Sequence, residues 1–113
     1  MAIKSTINTD HYFWGGNCDG WHLLKSESLS VIQERMPPHT SEGLHFHNRA
    51  QQFFFILKGT AIFEIEGEIF EVNTNSGLHV LPHQKHRIFN HTDLLLEFLV
   101  ISEPKAHGDR VDL

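Results

Sequence analysis

The sequence predicts an all-β protein, a sandwich or barrel of short antiparallel strands. Two observations carry that reading. No window of the 113 residues repeats apolar side chains at the 3.6-residue period of a helix. Short apolar or alternating runs recur instead at close, regular intervals, and turn residues separate them. Composition agrees with a packed single domain: 40% of residues are hydrophobic, and nine phenylalanines supply bulk for a core.

Residues 1 to 20 are polar and glycine-rich, with Tyr12-Phe13-Trp14 ahead of Gly15-Gly16, and read as an N-terminal arm or loop with an aromatic anchor. From about Trp21 onward short strand-like runs take over; Leu29 to Gln33 is one, which Pro37-Pro38 terminates. Leu44 to Asn48 follows, then Gln52 to Leu57, closed by Lys58-Gly59. Ala61 to Ile65 turns at Glu66-Gly67-Glu68 and returns as Ile69 to Val72, a hairpin. Asn73 to Gly77 is a loop, and Leu78 to Leu81, Arg87 to His91 and Leu94 to Ile101 complete the set.

Alternation assigns faces. His45 and His47, one residue apart, project to the same side of their strand. If Gln52 also faces inward, so do Phe54 and Ile56, which leaves Phe53, Phe55 and Leu57 outward. The last run is apolar on both faces, with Leu94, Leu96, Phe98 and Val100 on one and Leu95, Leu99 and Ile101 on the other. Strands apolar on both faces are covered on both faces. A homodimer mate, the N-terminal arm, or both would supply the cover.

Net charge is −5 without a basic stripe, which argues against a nucleic-acid partner. One cysteine, Cys18, excludes an intrachain disulfide, and no basic residue stands beside it to activate a thiol. No apolar run is long enough to span a bilayer and no apolar leader opens the chain, so a cytoplasmic, non-membrane protein is expected. Glycine-rich phosphate loops and serine-nucleophile signatures are absent from the sequence.

Ten histidines are many for this length, so spacing carries the functional argument. From His47 there are four intervening residues to Gln52 and six more to Gly59; Pro82 and His86 follow, and three residues separate His86 from Asn90. This ordered set resembles the two motifs of the cupin superfamily, over residues 28 to 102. The chain departs from the pattern at three places. His39 stands where a glycine opens the first motif, Gln52 stands where a glutamate is usual, and the turn from Pro82 to His86 lacks a glycine and is one residue short.

The resemblance implies an antiparallel jelly-roll β-barrel, a cupin or double-stranded β-helix, over residues 21–113. It also implies one divalent metal ion held by His45, His47 and His86. Imidazole donors suit zinc, iron, nickel, copper or manganese. Gln52 is either a fourth ligand through its amide oxygen or a hydrogen-bonding residue of the pocket. Phe54, Ile56, Ile88 and Asn90 share the inward faces and are the expected pocket residues. With no carboxylate in the motif set, acid–base work would fall to a histidine or to metal-bound hydroxide. The functional expectation is a metal-dependent enzyme of the dioxygenase or isomerase type acting on a small anionic or enolisable molecule. The alternative is a non-catalytic module that binds a small molecule.

Overall fold

Which side chains alternate inward decides the architecture of the computed structural model, which describes residues 2–113. Twelve strands occur in chain order: β1 His11–Trp14, β2 Cys18–Lys25, β3 Ser30–Met36, β4 Thr40–Ser41, β5 His45–His47, β6 Gln51–Lys58, β7 Ala61–Ile65, β8 Glu68–Val72, β9 Gly77–Val80, β10 His86–Asn90, β11 Leu96–Glu103 and β12 Arg110–Asp112. They form two antiparallel sheets, ordered β1-β2-β3-β11-β6-β9 and β12-β5-β10-β7-β8, with β4 also paired to β10. The two sheets face each other as a jelly roll and are not closed into a strict barrel. No helix is assigned among the described residues, and none is long and apolar enough to cross a membrane.

The inner faces meet at Met36, Ile56, Phe63, Ile88, Leu96 and Phe98, each at most 1% exposed. Phe54 packs edge-on against Phe63 at 5.0 Å between ring centroids. Turn chemistry fixes the register. Glu66 and Gly67 take φ of 49° and 83°, the left-handed pair that a two-residue hairpin between β7 and β8 requires. Gly59 takes φ 89° between β6 and β7, and a Cβ there would meet the Leu95 carbonyl at 2.7 Å, so both conformation and space demand glycine.

Three features differ from the sequence reading. The segment read as an arm contains β1 and the start of β2, and the boundary drawn after residue 20 falls inside β2. Gly15-Gly16, both at positive φ, turns the chain so that Trp14 pairs with Cys18. Tyr12 and Trp14 pack on the core, and Cys18 is fully buried, where burial pushes its thiol up. Leu94 does not belong to the last strand. It is 69% exposed in the bend before β11, and inward alternation starts at Leu96. Two strands of two and three residues, β4 and β12, were too short to leave a periodic signal.

Candidate metal centre

His45 sits directly across from His86 in the β5–β10 pairing, and His47 lies two residues further along the same face of β5. This register gathers three imidazoles from distant parts of the chain. Ring centroids are 4.3 Å apart for His45 and His86, 5.2 Å for His45 and His47, and 5.7 Å for His47 and His86. One ring nitrogen from each lies within 4.8 Å of the others, and all three residues are buried.

Hydrogen bonds fix the tautomers of two of the rings. The partner of His45 Nδ1 is the Gly43 carbonyl at 2.8 Å, and that of His86 Nδ1 is the Gln84 carbonyl at 2.9 Å. A carbonyl only accepts, so each Nδ1 carries the proton and each Nε2 presents a lone pair. His47 Nδ1 is buried without a partner among the described residues. Gln52 Nε2 donates to Ser102 Oγ at 3.0 Å, which leaves Gln52 Oε1 facing His86 Nε2 at 3.2 Å. Two acceptors facing each other repel, and a cation between them removes the repulsion. A turned amide would instead donate to His86 and accept from Ser102. The donor set therefore fits a divalent ion with imidazole preference: three neutral nitrogens and one amide oxygen, with room beside them.

Gln52→Glu tests whether this position reaches the ion. A carboxylate at this position brings a negative charge to the three rings, so zinc should bind about tenfold or more tightly at neutral pH, read by competition with a chromophoric chelator. Unchanged affinity would place Gln52 outside the ligand set.

Burial holds the His45 imidazole down at about 3 and that of His47 down at about 4, and it lowers His86 as well. All three are neutral at pH 7, the state a metal requires. His45, His47 and Gln52 open into a cavity of about 330 Å³ whose wall also includes Tyr12, Glu34, Glu42 and Arg110. The expectation of a site without carboxylates is thereby corrected. Glu34 alternates inward on β3 between Ile32 and Met36, and Glu42 precedes β5. Burial pushes Glu34 up to about 7, against the Tyr12 hydroxyl that donates to it at 2.9 Å. Burial pushes Glu42 up to about 8, and the charge of Glu34 adds to it. Arg110 Nη1 lies 3.6 Å from Glu42 Oε2.

These shifts oppose each other in a pH profile. The histidines bind protons more readily unfolded, so stability is lost as pH falls below their unfolded value of about 6.5. Glu34 and Glu42 bind protons more readily folded, so stability is lost as pH rises through their folded values of about 7 and 8. The metal-free protein should melt highest at roughly pH 6 to 6.5 and lower on both sides. Glu34→Gln should flatten the alkaline limb. A melting temperature that climbs steadily to pH 8 in the wild type would contradict these assignments.

Of the residues expected in the pocket, Phe54 lines the cavity wall. Ile56, Ile88 and Asn90 are corrections: they share the predicted faces but lie sealed in the core, at 0%, 1% and 0% exposure. Asn90 is four residues from His86 along β10, about 13 Å by strand geometry, so it shares the direction of His86 and not its depth. Its amide ties the end of β3 to the bend before β11. Arg87 points away from the rings and pairs with Glu64 at 2.8 Å. His83 and Lys85 are exposed on the turn; the His83 backbone N–H donates to the His47 carbonyl and fastens that turn to β5. His39 pairs with Asp93 and His79 with Gln51, away from the rings.

Sequence reasoning missed Glu34, Glu42, Tyr12, Arg110 and Asp109. Asp109 Oδ2 accepts the backbone N–H groups of Arg49 and Ala50, both at 2.9 Å, and anchors β12 beside β5 so that Arg110 reaches the cavity. Only Glu34 left a usable sign. A carboxylate is rarely buried without a partner, and extending the alternation of Ser30 and Ile32 by two residues turns Glu34 inward.

Two facing sheets with a histidine trio at one end of the inner face can now be set beside known proteins. Residues 32–102 match the family described as Cupin domain. The chain belongs to the cupin family. It is 26% identical over 91 residues to an oxalate-binding protein of Thermotoga maritima, an alignment spanning 76% of this chain and 75% of that one. Among solved structures it resembles an RmlC-like cupin from Shewanella frigidimarina, with TM-score 0.84 and 17% identity, covering 94% of this chain and 93% of the other. It also resembles a predicted oxalate decarboxylase from Thermotoga maritima, with TM-score 0.82 and 19% identity, covering 91% and 99%. At these identities the structural likenesses establish the cupin fold.

Proposed function

We propose that this cupin binds one divalent metal ion through His45, His47 and His86, with Gln52 beside them, and acts as a metal-dependent enzyme of the dioxygenase or isomerase type on a small anionic or enolisable molecule. The observation that carries the reading is the buried trio of neutral imidazoles, their lone pairs converging beside a cavity that also holds carboxylates. When bound, the ion supplies Lewis acidity toward a carboxylate or enolate oxygen. Phe54, Ile32 and Val100 keep the cavity wall apolar and limit water around the bound molecule. Glu34 and Glu42, with values near neutrality, are placed to take or return a proton at physiological pH. Arg110 offsets part of their charge.

A second reading, a non-catalytic binding module, is favoured by Gln52 in the usual glutamate position and by the 26% identity to an oxalate-binding protein. Incubation of the protein, reloaded separately with iron, manganese, nickel, copper and zinc, with oxalate and small keto and hydroxy acids decides between them. Consumption of an acid that depends on metal and on His86 supports the enzyme. Saturable binding with no consumption under every metal supports the module.

The outer face of the first sheet supports a homodimer as part of the proposal. Phe53 and Leu57 are 41% and 38% exposed on β6, and the β6–β11 register sets Phe53 beside Ile101 and Phe55 beside Leu99. Burying large apolar side chains is worth roughly 1.5–3 kcal/mol each, so a second copy covering this stripe gains more than solvent exposure allows. Light scattering at micromolar concentration should give twice the chain mass, and Phe55→Glu should return it to the monomer with the histidines undisturbed on the opposite face. A monomeric wild type would rule the dimer out.

A further inference from the structure

The wall of the cavity carries a second polar cluster whose construction the metal site does not explain. Across the first sheet, Tyr12 pairs with Gly20, Gly20 with Glu34, and Glu34 with Phe98. Gly20 is buried, and a Cβ on it would lie 2.3 Å from Tyr12 Cζ and 2.6 Å from its hydroxyl. Only glycine leaves the slot through which the phenol crosses β2 to donate to Glu34 Oε2. The other Glu34 oxygen has no hydrogen-bond partner among the described residues, although Glu34 sits between Ile32 and Met36 on the inward face. A carboxylate placed there and held by a dedicated phenol contact is built to receive something from the cavity.

The Tyr12–Glu34 end of the cluster lies away from Gln52 and His86. Gln52, which touches His86, is in register with Ser102, and Ser102 with Ser30. Glu34 is four residues beyond Ser30, about 13 Å along the strand, and two strands across from β6. Side chains from both ends line the one cavity between them, and a two-carbon acid held at the histidines leaves its Glu34 end unfilled. The cavity therefore has two poles: lone pairs that gather a cation and an anionic head at one, and Glu34, Tyr12 and the Glu42–Arg110 pair at the other, the pair reaching back toward His47, with which Arg110 is in register. Arg110 beside Glu42 offsets part of the negative charge, which weakens the second pole as an ammonium site. Acceptors and donors stand side by side there, and a hydroxyl, which both gives and takes a hydrogen bond, matches them. Tyr12 and Trp14 add aromatic surface for C–H groups between the hydroxyls.

We propose that the cavity selects a small polyhydroxylated carboxylic acid, its acid end at the histidine pole and its distal hydroxyls held by Glu34, Glu42 and Tyr12. The proposal rests on the metal reading of His45, His47 and His86 and adds the class of molecule to it.

Calorimetric titration of the zinc-loaded protein with gluconate and with glycolate tests it. Zinc is redox-inert, and the two acids share the same α-hydroxycarboxylate head, so they differ in the polyhydroxylated chain beyond it. Gluconate should bind about tenfold or more tightly than glycolate. Glu34→Gln should bring gluconate close to glycolate and leave glycolate unchanged. Tyr12→Phe should shift gluconate in the same direction by a smaller factor, and it carries the test if Glu34→Gln does not fold. Gluconate no tighter than glycolate in the wild type, or unaffected in the folded variants, would overturn the proposal while leaving the metal reading intact. Failure to take up one equivalent of zinc would overturn the metal reading, and this proposal with it.

Discussion

His86→Ala and His47→Ala should each strip the protein of its metal. In the proposed site each imidazole would supply one of three nitrogen donors, and the remaining pair with a weak amide oxygen would leave a divalent ion under-coordinated. The affinity loss should exceed the ~10–100-fold that follows from disturbing a group that merely orients a ligand. Protein prepared without an affinity tag, saturated with zinc and dialysed, should retain about one equivalent in the wild type and almost none in either variant. Near-stoichiometric zinc in a variant would remove that residue from the ligand set. Gly43 and Gln84 orient the rings through their carbonyls, so their contribution is backbone geometry and survives side-chain substitution.

Asn90→Ala should be the most damaging change to the fold outside the apolar core. The side chain is fully buried. Its Nδ2 lies 3.0 Å from the Met36 carbonyl, 3.1 Å from Pro37 and 2.8 Å from Leu94, and its Oδ1 accepts from the Thr92 N–H and hydroxyl at 3.0 and 2.8 Å. Alanine removes these five hydrogen bonds at once: the Met36 carbonyl and the Thr92 N–H lose this partner, while the Pro37 and Leu94 carbonyls keep the Thr40 and Thr92 hydroxyls, and a buried group left unpaired costs about 1–3 kcal/mol. A total loss of about 3 kcal/mol or more is expected, a fall of more than about 10 °C in Tm for a domain of this size. Urea denaturation with thermal melting checks it, and a loss under about 1 kcal/mol would show that water replaces the amide. Below its melting temperature the variant should still take up zinc, because Asn90 acts on the bend before β11 and not on the ion.

Alternation is the reason so much was legible in the sequence. His45 and His47 on one face, Gln52 and Phe54 inward, and Phe53 and Leu57 outward all follow from a period of two, and the structure places them so. Alternation gives direction and not depth, which is why Ile56, Ile88 and Asn90 point the expected way yet lie buried in the core. Glu34 escaped because the strand was ended at Gln33, one residue before the inward carboxylate became visible. Gly15-Gly16 read as loop composition, although a turn at positive φ joins β1 to β2 and carries Tyr12 and Trp14 onto the core. Glu42 and Arg110 meet through the pairing of β12 with β5, a contact between segments more than sixty residues apart that no local pattern encodes.

The central claim is that His45, His47 and His86 hold a single metal ion. Anomalous diffraction from crystals of the zinc-loaded protein, collected on both sides of the zinc edge, tests it most directly. One strong difference peak bonded to all three imidazoles is the predicted result. Zinc located elsewhere on the chain, with no peak among the three rings, would contradict it.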